Sequence, residues 1–252
     1  MAGHNKWSKI KRKKGALDVK RSKMFSKLLK EITVAVKEGN SGDEDFNPRL
    51  RLAVANARGA NMPKDNIERA IKKALDKDTA AIYQPTYEGY APGGVAVFVE
   101  AATDNINRTV GNIRAIFSKN DGNLATTGSV DYMFDRKGIF VLKIEKEKVE
   151  EIELDLIDGG AEEIEYDDEM GELIITVAFE DFGNMQETLE NHSLKTTNAN
   201  LERIPNVYTR LSLDDSKKAL ELIEALEDDE DVQHVFHNLE MTEELEMALE
   251  ES

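Results

Sequence analysis

The sequence predicts an α+β protein: a helical N-terminal domain, then two domains of mixed strands and helices, one inserted in the other. Three observations predict it. Residues 1–77 carry apolar side chains at helical spacing. Residues 78–94 gather Pro85, Pro92, Gly93 and Gly94. From Val95 onward, short apolar runs of strand type alternate with helical patterns.

The first helix is expected between Leu17 and Glu38, where Phe25, Leu28, Leu29, Ile32 and Val36 share a face and Gly39 is a natural stop. Lys20, Lys23, Lys27 and Lys30 fall on the opposite face. Asn47-Pro48 reads as a cap with proline at the first helical position, ahead of Leu50 and Val54. Pro63 opens a third helix, with Ile67, Ala70, Ile71, Ala74 and Leu75 on one side. Residues 78–94 read as a linker and turn. The domain expected over 95–135 and 204–252 has a strand at Val95–Val99, a helix over 107–119 and a strand at Val130–Phe134. It resumes with a strand at Asn206–Leu211, a helix at Asp214–Leu226 and a strand at Val232–His237. The inserted domain, 136–203, has strands at Ile139–Ile144, Glu163–Tyr166, Leu173–Phe179 and Leu194–Leu201, with helices at Val149–Ile157 and Phe182–Asn191. Each domain then reads β-α-β-β-α-β, the ferredoxin-like arrangement.

Composition removes several function classes. The 252 residues include no Cys, which excludes disulfides and cysteine zinc sites and suits a reducing compartment. The basic N-terminus lacks an apolar stretch behind it and no apolar run matches a membrane span, so a cytoplasmic protein is expected. His234 and His237 stand three apart in a strand and point to opposite faces, which disfavours a shared metal. No phosphate-binding glycine loop occurs. The acidic run Glu227–Asp231 lacks the alternating ligands and glycine of a calcium loop. No nucleophile–base or metal constellation points to an enzyme, and no cofactor, small-molecule substrate or membrane partner is expected.

Charge is what remains. The net charge of −17 is unevenly spread: residues 1–77 carry 20 Lys/Arg against 9 Asp/Glu, and residues 78–252 carry 13 against 41. A basic head on an acidic body can settle on phosphates while the body is repelled, which favours one orientation. The segment His4–Lys14 supplies Lys6, Lys9, Lys11, Arg12, Lys13 and Lys14 as phosphate contacts. The single Trp of the chain, Trp7, stands among them, where it would stack on an unpaired base. With few apolar residues, this arm is expected to order on binding. Lys20, Arg21, Lys23 and Lys27 extend the track. Arg49, Arg51 and Lys64, at the starts of the second and third helices, add second-rank contacts.

The chain resembles the YebC/PmpR family, whose mitochondrial member is the translational activator of cytochrome c oxidase subunit I. The resemblance rests on Met1-Ala2-Gly3-His4 with Lys6-Trp7, Asn47-Pro48-Arg49-Leu50-Arg51, Asn61-Met62-Pro63-Lys64-Asp65-Asn66-Ile67, Tyr87-Glu88-Gly89-Tyr90-Ala91-Pro92-Gly93-Gly94, Asn107-Arg108-Thr109-Val110 and Gly128-Ser129-Val130. Asn5 stands where Ser is usual. Ile106 stands where Arg is usual, which removes one phosphate contact beside Arg108. The resemblance implies a three-domain cytoplasmic protein in one of two roles: a DNA-binding transcriptional regulator, or a translation factor that binds ribosomal RNA on the ribosome and relieves stalling on proline-rich stretches.

Overall fold

The computed structural model describes residues 17–76 and 79–250. They form two compact units. One comprises the described residues up to Lys27 with Ala80–Asp135 and residues from Ile204 onward; the other comprises Leu28–Thr79 and Arg136–Arg203. Each has its own four-stranded sheet.

In the first unit, β1 (Thr86–Ala91), β2 (Val95–Ala101), β3 (Asn123–Leu124) and β8 (Val232–His237) lie in the order β3-β1-β2-β8, with every neighbouring pair antiparallel. Pro92–Gly94 turns β1 into β2, and Gly93 and Gly94 take φ of 74° and 78° there, left-handed values that favour glycine. Strand β2 is covered on both faces, which explains its unbroken apolar run. Val95, Val97 and Val99 pack with Ile113 and Phe117 of α4 (Ile106–Lys119) and Leu222, Ile223 and Leu226 of α7 (Leu213–Glu227). Ala96 and Phe98 pack with Val130, Phe134 and Phe236. Each valine, leucine, isoleucine or phenylalanine among them, fully buried, contributes about 1.5–3 kcal/mol of transfer free energy. A last helix, α8 (Glu243–Glu250), adds Leu245 and Leu249 to this core.

Three expectations are corrected here. Residues 78–94 contain strand β1 within what reads as a linker. Val130–Phe134 is a short 3-10 turn at Asp131–Met133, whose flanking Val130 and Phe134 fill the core without pairing as a strand, apart from Phe134 opening β4. Asn206–Leu211 forms no strand: Thr209 makes one isolated parallel bridge to Leu239. The sheet still has ferredoxin-like order, because β1, which precedes β2 in the chain, occupies the position expected of Asn206–Leu211.

In the second unit, β4 (Phe134–Lys143), α5 (Lys146–Asp158), β5 (Ala161–Asp167), β6 (Glu172–Ala178), α6 (Phe182–Asn191) and β7 (Thr196–Pro205) follow one another. Their strands lie in the order β5-β6-β4-β7, so this segment is β-α-β-β-α-β in chain and in space. Phe140, Leu142, Leu156, Leu173, Ile175, Met185 and Leu189 form the core. The same unit holds the second half of α1 (Leu17–Gly39), from Leu28, with α2 (Pro48–Gly59) and α3 (Lys64–Leu75). Asn47 caps α2: its Oδ1 accepts from Leu50 N at 3.0 Å, while its Nδ2 donates to Ala35 O at 2.8 Å. Buried Asn56 satisfies edge strand β7, donating to Ala199 O and accepting from Ala199 N, both at 2.8 Å. Gly59 allows this approach, since a Cβ there would lie 2.0 Å from Thr197 O. Among the described residues, no helix is long and apolar enough to cross a membrane.

Candidate nucleic-acid interface

The positive charge of the first third is itself concentrated. Residues 1–27 carry ten Lys/Arg against Asp18 alone, whereas residues 28–76 carry nine against eight. The three-helix region expected to be basic is therefore close to neutral beyond Lys27. Lys6, Trp7, Lys9, Lys11, Arg12, Lys13 and Lys14 lie outside the described residues. Lys20 lies in the first turns of α1.

Three further cations follow along α1. The Arg21 guanidinium sits 5.3 Å from the centre of the Phe25 ring, a cation–π distance. Lys23 Nζ is 2.8 Å from Asp228 Oδ1. One helical turn on, Lys27 donates to Glu227 O at 3.0 Å and reaches Gln233 O at 3.5 Å. The two lysines thus converge on the end of α7 and the acidic turn behind it. Lys30 is half-buried.

The second-rank cations are held differently. Arg49 pairs with Glu31 and Glu38. Arg51 donates to the carbonyls of Glu44, at 3.1 Å, and Asp45, at 3.4 Å. Arg58, which the sequence reading passed over, pairs with Glu44 at 2.9 Å. Arg51 and Arg58 thus brace the loop between α1 and α2, while Arg49 ties the start of α2 to α1. Lys64 points to solvent, 82% exposed, with Glu68 at 3.3 Å. So Lys23 and Lys27 are brought together, Arg49 and Arg51 are committed to the α1–α2 region, and Lys64 stands apart on α3.

Arg108 has a partner that sequence spacing could not reveal. Its guanidinium donates to both carboxylate oxygens of Asp231, at 2.8 Å and 3.1 Å, and to Asp104 and Thr103. Thr109 Oγ1 adds a 2.8 Å bond to Asp231 Oδ2. The hydrogen bond and charge of Asp231 push the Arg108 pKa further up. Burial, then Asp231 and Asp229, raise that of Tyr87. Glu88 was also missed as a structural acid. Buried in β1, it accepts from the backbone N–H groups of Gly128 at 2.6 Å, Val130 at 2.7 Å and Asp131 at 3.0 Å. His237 is fully buried, whereas the His234 ring stacks 5.9 Å from Phe236. Among the described residues, no group of three or more His, Asp or Glu is placed to hold a metal ion.

Two family models match this chain: the TACO1/YebC protein N-terminal domain over residues 5–77, and the TACO1/YebC second and third domain over residues 82–239. The chain belongs to the TACO1/YebC family. Among TACO1/YebC relatives, a protein of Amoebophilus asiaticus is 51% identical over 240 residues, covering 95% of this chain and 98% of its own. One from Geobacillus thermodenitrificans is 52% identical over 243 residues, covering 95% and 97%. One from Chlorobaculum parvum is 46% identical over 254 residues, with full coverage of both. Each is named a probable transcriptional regulatory protein. A crystal structure described as a conserved hypothetical protein, Aq1575 from Aquifex aeolicus, superposes with a TM-score of 0.79 at 39% identity, covering 90% of this chain and 93% of that one. Within the TACO1/YebC layout, all ten cations of residues 1–27, Lys6 to Lys27, fall in the span matched by the N-terminal domain model.

Proposed function

We propose that this TACO1/YebC chain is a non-enzymatic, cytoplasmic regulator of gene expression that binds nucleic acid through residues 1–27. One observation carries the reading: ten cations against one acid in 27 residues, joined to a body from residue 78 onward with 13 cations against 41 acids. Such a head gains affinity by releasing counterions from a polyphosphate, and the body's repulsion restricts how the chain can lie on it. Lys6, Lys9, Lys11, Arg12, Lys13 and Lys14 contact phosphates, and Lys20, Arg21, Lys23 and Lys27 continue the track. The relatives' names favour transcriptional control, and a transcriptional role would make duplex DNA the partner.

A second reading has its own support. Trp7 amid six cations suits an unpaired base better than a duplex. This favours ribosomal RNA, and with it a translation factor on the ribosome that relieves stalling on proline-rich stretches. Filter binding of the full chain, titrated with salt, separates the two. A DNA regulator prefers duplex DNA over structured ribosomal RNA of equal length, and Trp7→Ala changes its affinity less than about twofold. A ribosomal RNA binder shows the reverse preference, and Trp7→Ala weakens it about fivefold or more. Binding to neither, or binding without salt dependence, would overturn the proposal.

A further inference from the structure

Two of the α1 cations that the proposal above assigns to phosphates, Lys23 and Lys27, are held at the end of α7 and the acidic turn after it. We infer that this turn, Glu227–Asp231, is a built-in competitor for nucleic acid, with Asp228 standing in the place of a phosphate on Lys23. The inference rests on the nucleic-acid reading and adds a regulatory element to it.

The geometry of the turn carries the argument. Lys27 donates to the Glu227 carbonyl at the C-terminal end of α7, where exposed carbonyls and the helix dipole both favour a cation. Asp228 is the next residue, at the cap of that helix. An acid there is unfavourable to the helix alone, because the dipole places negative charge at the same end. Its carboxylate is turned instead onto Lys23, at 2.8 Å. The turn is not loose. Asp231 N donates to Asp229 Oδ1 at 2.9 Å, Ala102 N donates to Asp231 O at 2.8 Å, and the Asp231 carboxylate holds Arg108 and Thr109. A fixed scaffold thus presents Asp228 to Lys23.

The pair it makes is displaceable. The side chains of Lys23 and Asp228 are 48% and 67% exposed, and pairs of that kind are weak and screened by salt. A phosphate approaching Lys23 must displace Asp228 or be repelled by it. A polyanion with few contacts is disfavoured, while one that also engages the arm can displace the acid. The turn therefore raises the number of contacts needed for binding.

The test uses the full-length chain with a fluorescent single-stranded RNA and a duplex DNA of about 20 nucleotides or base pairs, read by anisotropy across a salt series. Asp228→Asn is expected to tighten binding about two- to fivefold and to steepen the slope of log K against log salt by up to about one, because Lys23 then neutralises a phosphate without first releasing an internal acid. Asp228→Ser should behave alike, and thermal melts check that both variants fold. Glu221→Gln, which removes one exposed acid from the same helix, should leave affinity within about 1.5-fold of wild type. Lys23→Gln added to Asp228→Asn should cancel the gain. Folded Asp228 variants that bind no tighter than Glu221→Gln, while Lys23→Gln alone weakens binding, would overturn the competitor and leave the nucleic-acid reading standing. Unchanged affinity on charge reversal of Lys6, Lys9, Lys11, Arg12, Lys13 and Lys14 would overturn that reading instead.

Discussion

Asp228 and Asp231 are three residues apart in one turn, and they do opposite things. Asp231 is 5% exposed and is gripped by Nε and Nη2 of Arg108 and by Thr109. Asp228 is exposed and, among the described residues, meets Lys23. The chemistry of the acid is the same; burial sets the consequence. In the interior the carboxylate cannot fall back on water, so its partners become part of the fold. At the surface water and salt replace the partner at little cost, so the contact can be exchanged for another anion. The sign of a residue's charge alone does not show whether it holds the protein together or meets a ligand.

The sharpest way to break this contrast is to remove the inner acid. Asp231→Ala removes the buried carboxylate shared by Arg108 and Thr109, leaving Arg108 with Asp104 and Thr103, and should lower the urea midpoint well below that of Asp228→Ala. A midpoint lowered no further than by Asp228→Ala would show that burial does not separate the two acids. The smaller effect is expected in the α1–α2 region. Arg49→Gln leaves Glu31 and Glu38 near the surface and should cost no more than about 1 kcal/mol, with nucleic-acid affinity within about twofold of wild type. A large loss of affinity at unchanged stability would return Arg49 to the binding surface.

Helical spacing reads α1, α2 and α3 well, because each keeps a single apolar face, and Asn47-Pro48 marks a real cap. The inserted β-α-β-β-α-β segment is equally legible, since its chain order and sheet order agree. Strand β1 is not legible. Its Glu88 and Gly89, followed by Pro92-Gly93-Gly94, carry the composition of a turn, and Glu88 is tolerated inside only because three N–H groups from residues 128–131 meet it. Asn206–Leu211 fails for the complementary reason: the place it would take in the sheet is held by β1. Of the candidate site, residue spacing sets Lys23 and Lys27 one turn apart on α1, but their partner is not legible. Lys23 and Asp228 are 205 positions apart, and only the folded chain brings them together.

The most direct measurement is salt-dependent binding of the full-length chain carrying Glu at positions 6, 9, 11, 12, 13 and 14. Reversal of these six charges should abolish measurable association with both RNA and DNA at physiological salt while the melting transition stays intact. A folded variant that binds as tightly as the wild type, with the same salt slope, would contradict the assignment of the cation-rich head as the nucleic-acid contact.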